Sequence, residues 1–438
     1  MRLRALAVVC LLAIAGCTAP TGTTGPAAPP DHDEDPLGWE DGYWHNSSVA
    51  VDASDGANRS ELRAVTSRAM ARIEVIRGLE FTDSVSVQVV SREEFRSGGG
   101  LGRSYGEWDD QVWEAAFLVG EETTAGEAFG EVYGGSVTGY YAGGQIVLVA
   151  DDPDAVAVDR ATLVHELVHA LQAQQLNLGE RRSSFDGRKA VTSVVEGDAN
   201  YVMDRYQERC EAEWDCIEQV PRTASDRSYN RGLFLVTYLP YSEGPELVGD
   251  LRDRGGWDAV DDAFEDYPAS TEQVIHPERY PDETPANVTV PDRSSDDWER
   301  FDRGGETLGE GALYATFWQN GVIPEDHLRS DERRYNYSHP ITDGWAGDRV
   351  VPYRNGDDRG YVFRTKWDTV EDAREFRAAY LELLDEHGAE AVGENTYRVP
   401  EESAFDDAFR VVRDGRTVEV VNAPTVEDVD GVHASRNE

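Results

Sequence analysis

The side chains best suited to do chemistry are His165, Glu166 and His169, in the stretch T-L-V-H-E-L-V-H-A-L-Q. Residues four apart on an α-helix share one face, so the two imidazoles can grip one Zn²⁺ in a tetrahedral site. Glu166 follows the first histidine and can reach a metal-bound water without ligating the metal. This is the H-E-x-x-H arrangement, in which the glutamate takes the proton from that water. A helix is well signalled here: Asp159 can cap it, and Val164, Leu167, Val168 and Leu171 supply an apolar stripe on its other flank. The alternative is an amphipathic core helix that carries two surface histidines.

A third ligand is on offer downstream. V-T-S-V-V-E-G-D-A-N-Y-V-M-D opens a second helix, expected over 190–209, and Glu196 stands 27 positions after His169. That interval allows one connection before the second helix packs on the first. Two histidines and one glutamate leave the fourth tetrahedral position open, as a catalytic zinc requires, whereas a structural zinc wants it closed. An exposed helix carboxylate is the competing reading of Glu196. Further on, S-T-E-Q-V-I-H-P-E-R-Y brings His276 and Tyr280. Amide hydrolysis needs a donor to the tetrahedral oxyanion, and His276 is the first candidate with Tyr280 second. The bland reading of this block is a rigid His-Pro turn with a packed tyrosine.

H-E-L-V-H followed by a glutamate on the next helix resembles the gluzincins, the thermolysin-like clan of zinc peptidases. The resemblance implies a zincin-like core, Zn²⁺ on His165, His169 and Glu196, and a peptide or protein substrate. The chain departs from thermolysin's N-E-x-x-S-D: here the run is V-E-G-D-A-N. Asn200 stands where thermolysin has a histidine-orienting aspartate, so the outer partner of His165 is either Asn200 or Asp198. Together with V-E-G-D-A, the H-P-E-R-Y block, G-W-A-G-D-R and K-W-D-T-V-E-D-A-R-E-F also resemble a family of exported bacterial and haloarchaeal proteins. That family is identified as metallopeptidases with no assigned substrate, and the likeness runs from about 60 to 380.

The chain around this centre carries 85 acidic against 41 basic residues, a formal net charge of −44. Such an excess repels phosphates and anionic membrane surfaces, so nucleic acid is excluded as a partner. Ten Trp, nineteen Tyr and thirteen Phe argue against disorder. The composition suits a folded protein whose carboxylate surface is screened at high salt.

Residues 1–16 read as an export signal: Arg2 and Arg4 precede an apolar run too short to span a bilayer. The run ends in I-A-G-C, which resembles a lipobox. By that resemblance Cys17 takes the lipid and anchors the protein to the outer face of the cytoplasmic membrane, with no transmembrane helix in the mature chain. Ordinary signal cleavage is the alternative. Residues 17–40 follow as a tether. Sequons at Asn46, Asn58, Asn287 and Asn336 fit an exported, glycosylated surface. In an oxidising exterior, Cys210 and Cys216 can close a small disulfide loop.

The expected fold is α+β. A metallopeptidase core over 41–290 holds a helix at 60–78, a strand at 84–90 and a hairpin whose second arm is 145–150. That arm precedes the metal helix, where zinc peptidases commonly pair an extended substrate with a sheet edge. Helices are expected at 226–240 and 245–267. A C-terminal α/β region over 291–423 adds helices at 306–318 and 369–387, an alternating strand through Y-V-F-R-T-K-W and an Asp-Gly hairpin. Residues 424–438 read as a frayed polar tail. From another function class, the chain could be a surface binding or cell-envelope module with a retained metal site. Hydrolysis of a non-peptide amide or ester is a third reading.

Overall fold

Capping residues and apolar spacing set the long helices, and the computed structural model describes residues 36–51, 56–97, 104–133, 138–150, 158–178, 181–219, 229–330 and 333–435. The signal segment, Cys17 and the tether up to residue 35 lie outside these. The tether is shorter than expected. Trp39–Glu40 (β1) already pairs with Tyr43–Trp44 (β2), and Gly38 N–H donates to the buried Glu74 carboxylate at 2.7 Å.

Helix α1 (Arg59–Arg77) starts at an Asn58–Glu61 capping box and stops at Gly78, whose φ of 77° places it in the left-handed region. A three-stranded sheet follows, ordered β3 (Ser86–Ser91), β5 (Gln145–Ala150), β4 (Gly139–Ala142). Strand β3 runs parallel to β5, and β4 runs antiparallel to it. Strand β5 is therefore central and has no free edge for a substrate, contrary to the sequence expectation. The edge lying on the metal helix is β4: a Cβ on Gly139 would come within 2.8 Å of the Thr162 methyl.

Between β3 and β4 come three short helices, α2 (Arg92–Ser97), α3 (Glu107–Ala115) and α4 (Ala125–Tyr133). The metal helix α5 (Arg160–Gln175) leads to α6 (Phe185–Ala212) and to α7 (Arg231–Glu265). The two helices expected over 226–267 are one element that carries Pro240 and Pro245 internally; its backbone leaves helical geometry at Gly256 instead. Pro245 cannot donate to the Tyr241 carbonyl, and Arg334 supplies the missing donor at 3.2 Å. Helix α8 (Thr271–Ile275) and α9 (Glu310–Gln319) complete the helical layer.

The C-terminal part holds an antiparallel sheet of seven strands with helices packed against it. Its order is β6 (Glu299–Arg300), β7 (Trp345–Asn355), β8 (Asp358–Trp367), β12 (Thr417–Ala423), β11 (Ala408–Asp414), β10 (Thr396–Arg398), β9 (Glu390–Gly393). Helix α10 (Val370–Glu386), capped by Thr369, packs Phe376 and Tyr380 onto it. One hydrophobic cluster runs from Trp108 through α6, α7 and α9 into this sheet, so the core crosses residue 290. The tail is ordered as far as 435: α11 (Val429–Val432) buries Val429 and Val432, and His433 is fully buried. The architecture is α+β. Among the described residues no helix is long and apolar enough to cross a membrane.

Candidate metal centre

Helix α5 begins where Asp159 accepts a hydrogen bond from Thr162 N–H at 2.7 Å, and it is buried on every side from Thr162 to Gln172. Leu163, Val164, Leu167, Val168 and Leu171 pack into a cluster with α1, β5 and the second half of α6. The opposite face is polar yet equally enclosed: His165, Glu166, His169 and Gln172 are each at most 1% exposed. Surface histidines are thereby ruled out. Helix α6 gives its first half to the large core and its second half to the α5 cluster. Glu196 sits at the changeover, fully buried.

Three ligand atoms converge there. His165 Nε2 lies 3.0 Å from His169 Nε2, and Glu196 Oε2 lies 3.2 Å from the former and 3.4 Å from the latter. Tetrahedral zinc with bonds of about 2.0–2.2 Å spaces its ligand atoms about 3.3 Å apart, so the trio has the right size. No hydrogen bond reaches either oxygen of Glu196. A buried carboxylate with no donor is costly unless a cation joins it. Without an ion, Glu196 holds a proton on His169, and a bound metal would displace that proton. Burial lowers the His169 imidazole, but Glu196 and then Glu166 more than offset it and lift it to about 9. Burial raises the Glu196 carboxyl, yet the two imidazoles hold it down to about 2. Glu166 is buried beside them with Oε1 unpartnered. The donor set of two imidazoles and one carboxylate fits Zn²⁺ and leaves Glu166 outside it.

The outer partner belongs to His169 rather than His165. Gln172 donates Nε2 to the Val195 carbonyl at 2.9 Å and to Asp198 Oδ2 at 3.0 Å. Those two acceptors fix the amide orientation, so Gln172 Oε1 faces His169 Nδ1 at 2.9 Å. Nδ1 therefore carries a proton, and Nε2 would offer its lone pair once a metal displaces the other. Asp198 is in turn held by Arg77 at 2.9 Å in a fully buried ion pair, and Arg77 also bonds Asp261. Asp198 thus acts through Gln172. Asn200 does not orient a ligand: its Nδ2 donates to the Glu196 carbonyl at 2.8 Å and its Oδ1 accepts from Arg334. His165 Nδ1 has no hydrogen-bond partner among the described residues. Gln172 was legible three residues after His169, on the same helical face; Arg77 carried no sequence signal.

Glu196 is also placed by a close helix crossing. A Cβ on Gly197 would stand 2.5 Å from the Gly244 carbonyl, and one on Gly244 would stand 2.3 Å from Ser193 O. Only glycine at both positions lets α6 and α7 approach this closely.

His276 and Tyr280 share no hydrogen bond or ion pair with His165, Glu166, His169 or Glu196. The Tyr280 hydroxyl donates to the Asp266 carbonyl at 2.7 Å, which occupies it structurally. His276 Nε2 pairs with the buried Glu310 at 3.0 Å, in a cluster with Glu272, Arg279 and Asp343. The expectation of an oxyanion donor at either position is replaced by these partners. Cys210 and Cys216 are disulfide-bonded, 5.6 Å apart at Cα, closing the loop that positions the buried Trp214.

A family model described as "Domain of unknown function (DUF8575)" matches residues 299–433. No curated protein and no solved structure matches the chain. The matched span covers the seven-stranded sheet with α9, α10 and α11, and His165, His169 and Glu196 lie outside it.

Proposed function

We propose that this chain is a zinc-dependent peptidase of gluzincin type with a zincin-like core, exported and lipid-anchored through Cys17 at the cell surface. One observation carries the reading: two imidazoles and a buried carboxylate that no hydrogen bond reaches converge within 3.0–3.4 Å, beside a second buried carboxylate that is not one of them. His165, His169 and Glu196 would hold the ion. When bound, zinc supplies a Lewis acid and makes water acidic enough to ionise near neutral pH. Glu166 accepts the proton from the attacking water and returns it to the leaving amine. Gln172 keeps His169 in the tautomer that offers Nε2, and the Asp198–Arg77 pair keeps Gln172 in place.

The competing reading is a surface binding module with a structural metal. The ligand group has three members among the described residues, which leaves a position for substrate and favours catalysis. Glu166→Gln separates the two. Under the enzyme reading zinc content and thermal stability stay near wild type, while turnover on a peptide library at high salt falls by roughly two to four orders of magnitude. Wild-type protein that holds zinc yet cleaves nothing, with a mutant that behaves identically, defeats the enzyme reading.

A further inference from the structure

Helix α1 carries three buried arginines, and only one of them has a counter-charge. Arg77 pairs with Asp198 and Asp261. Arg68 and Arg72, one turn apart on the same helix, are 2% and 1% exposed and form no ion pair with any described residue. The chain has 85 acids against 41 bases, so carboxylates are not in short supply. A guanidinium cannot shed its proton inside a protein, so burial leaves a charge that something else must meet.

Neutral groups meet part of it at Arg72. Its Nε donates to the His45 carbonyl at 2.7 Å, Nη2 to the Asp215 carbonyl at 2.9 Å, and Nη1 to the Tyr206 hydroxyl at 3.2 Å. The rings of Trp214 and Tyr206 lie 4.7 and 5.7 Å from its guanidinium carbon. Arg68 has far less. Its Nη1 donates to the Ser47 carbonyl at 3.3 Å, and its Nε is buried with no hydrogen-bond partner. Burial and the charge on Arg72 both lower the Arg68 pKa, and the carboxylate that acts on it, Asp215, is solvent-exposed. His45 adds a second orphan. Its Nδ1 is buried without a partner, and its ring faces Trp214, the ring on which Arg72 stacks. The segment from His45 to Ser47 thus gives its carbonyls to both arginines and keeps its imidazole beside them.

We propose that Arg68 and Arg72, with the His45 imidazole as a further donor, bind one small monovalent anion, chloride, where the N-terminal hairpin docks on α1. The groups without partners are N–H donors, which suits an anion. Burial favours a singly charged one, because the cost of taking an ion out of water grows with the square of its charge. The anion ties the His45–Ser47 segment to α1 and to the disulfide loop around Trp214. The site is independent of the zinc reading.

The test uses the full mature, metal-loaded chain in sodium gluconate. Chloride replaces gluconate at constant ionic strength, so screening of the acidic surface stays fixed. The wild-type Tm should rise saturably, by about 3 °C at a hundred times the dissociation constant, and bromide should do the same. Sulfate at equal ionic strength should give no saturable rise. Crystals grown in bromide should show anomalous density beside Arg68 Nε. Arg68→Met keeps an apolar stem and removes the charge. Its Tm in gluconate should match or exceed wild type and should not respond to chloride. A wild-type Tm indifferent to chloride overturns the proposal, as does an equal saturable rise with sulfate or a bromide crystal with no density at this corner. An Arg68→Met chain that still responds to chloride overturns it too. Should that variant fail to fold, the wild-type titration and the bromide crystal still decide.

Discussion

Two buried histidine–glutamate clusters among the described residues differ in kind, and only the one at His165 and His169 groups ligand atoms that could hold a metal. At His276 the imidazole meets Glu310 at 3.0 Å, the Thr342 hydroxyl donates to the same carboxylate oxygen at 3.3 Å, and Arg279 stands by as a resident cation bonded to Glu272 and Asp343. At His165 and His169 two imidazole nitrogens crowd one glutamate that no hydroxyl, amide or arginine reaches. Each cluster concentrates acid, but an arginine supplies positive charge only in the first. A buried carboxylate is a candidate metal ligand when no hydroxyl, amide or arginine reaches it, and the proximity of a histidine alone does not make it one.

The contrast can be stressed at each end. Gln172→Ala removes the acceptor that holds His169 Nδ1–H, and zinc affinity measured by competition with a chelator should fall about 10- to 100-fold. Gly197→Ala forces a methyl into the Gly244 carbonyl at the α6–α7 crossing. Denaturant unfolding should report a loss of about 1–3 kcal/mol, the usual range for overpacking, together with weaker zinc binding because Glu196 is the neighbouring residue. His276→Ala should cost about 1 kcal/mol and leave zinc content untouched. Its signature is a pH dependence. Burial lowers the His276 imidazole, but the hydrogen bond and charge of Glu310 outweigh it and leave it above its ordinary 6.5. The pair's stabilisation is thus fully present below the unfolded value and lost as pH rises through the folded one. The variant's stability curve should lack that fall. Zinc loss in His276→Ala would erase the distinction between the two clusters.

How much of this was legible depends on whether the signal was local. The α5 cap at Asp159, the shared helical face of H-E-x-x-H, the helix expected over 369–387 and the Asp-Gly turn between β11 and β12 are all encoded within a few residues, and the structure shows each. Glu196 was reachable because one connection and one helix separate it from His169. The errors come from long-range packing. The helices expected at 226–240 and 245–267 are one element, and Pro245 within it is tolerated because Arg334, some ninety residues away in sequence, bonds the freed Tyr241 carbonyl. The arm over 145–150 read as an edge, but β3 pairs on its far side. His276 read as an oxyanion donor because its partner Glu310 is 34 positions downstream and invisible to local spacing. Asp198 and Asn200 were both offered as partners of His165; Asp198 instead reaches His169 through Gln172.

The central claim is that Glu196 completes a zinc site with His165 and His169. The direct measurement is zinc per chain, by elemental analysis after gel filtration, on the wild type and on Glu196→Ala purified side by side. The wild type should carry one zinc per chain, and the variant should carry none while keeping its far-UV circular dichroism. A variant that still holds one zinc per chain contradicts the ligand assignment, and the gluzincin reading falls with it.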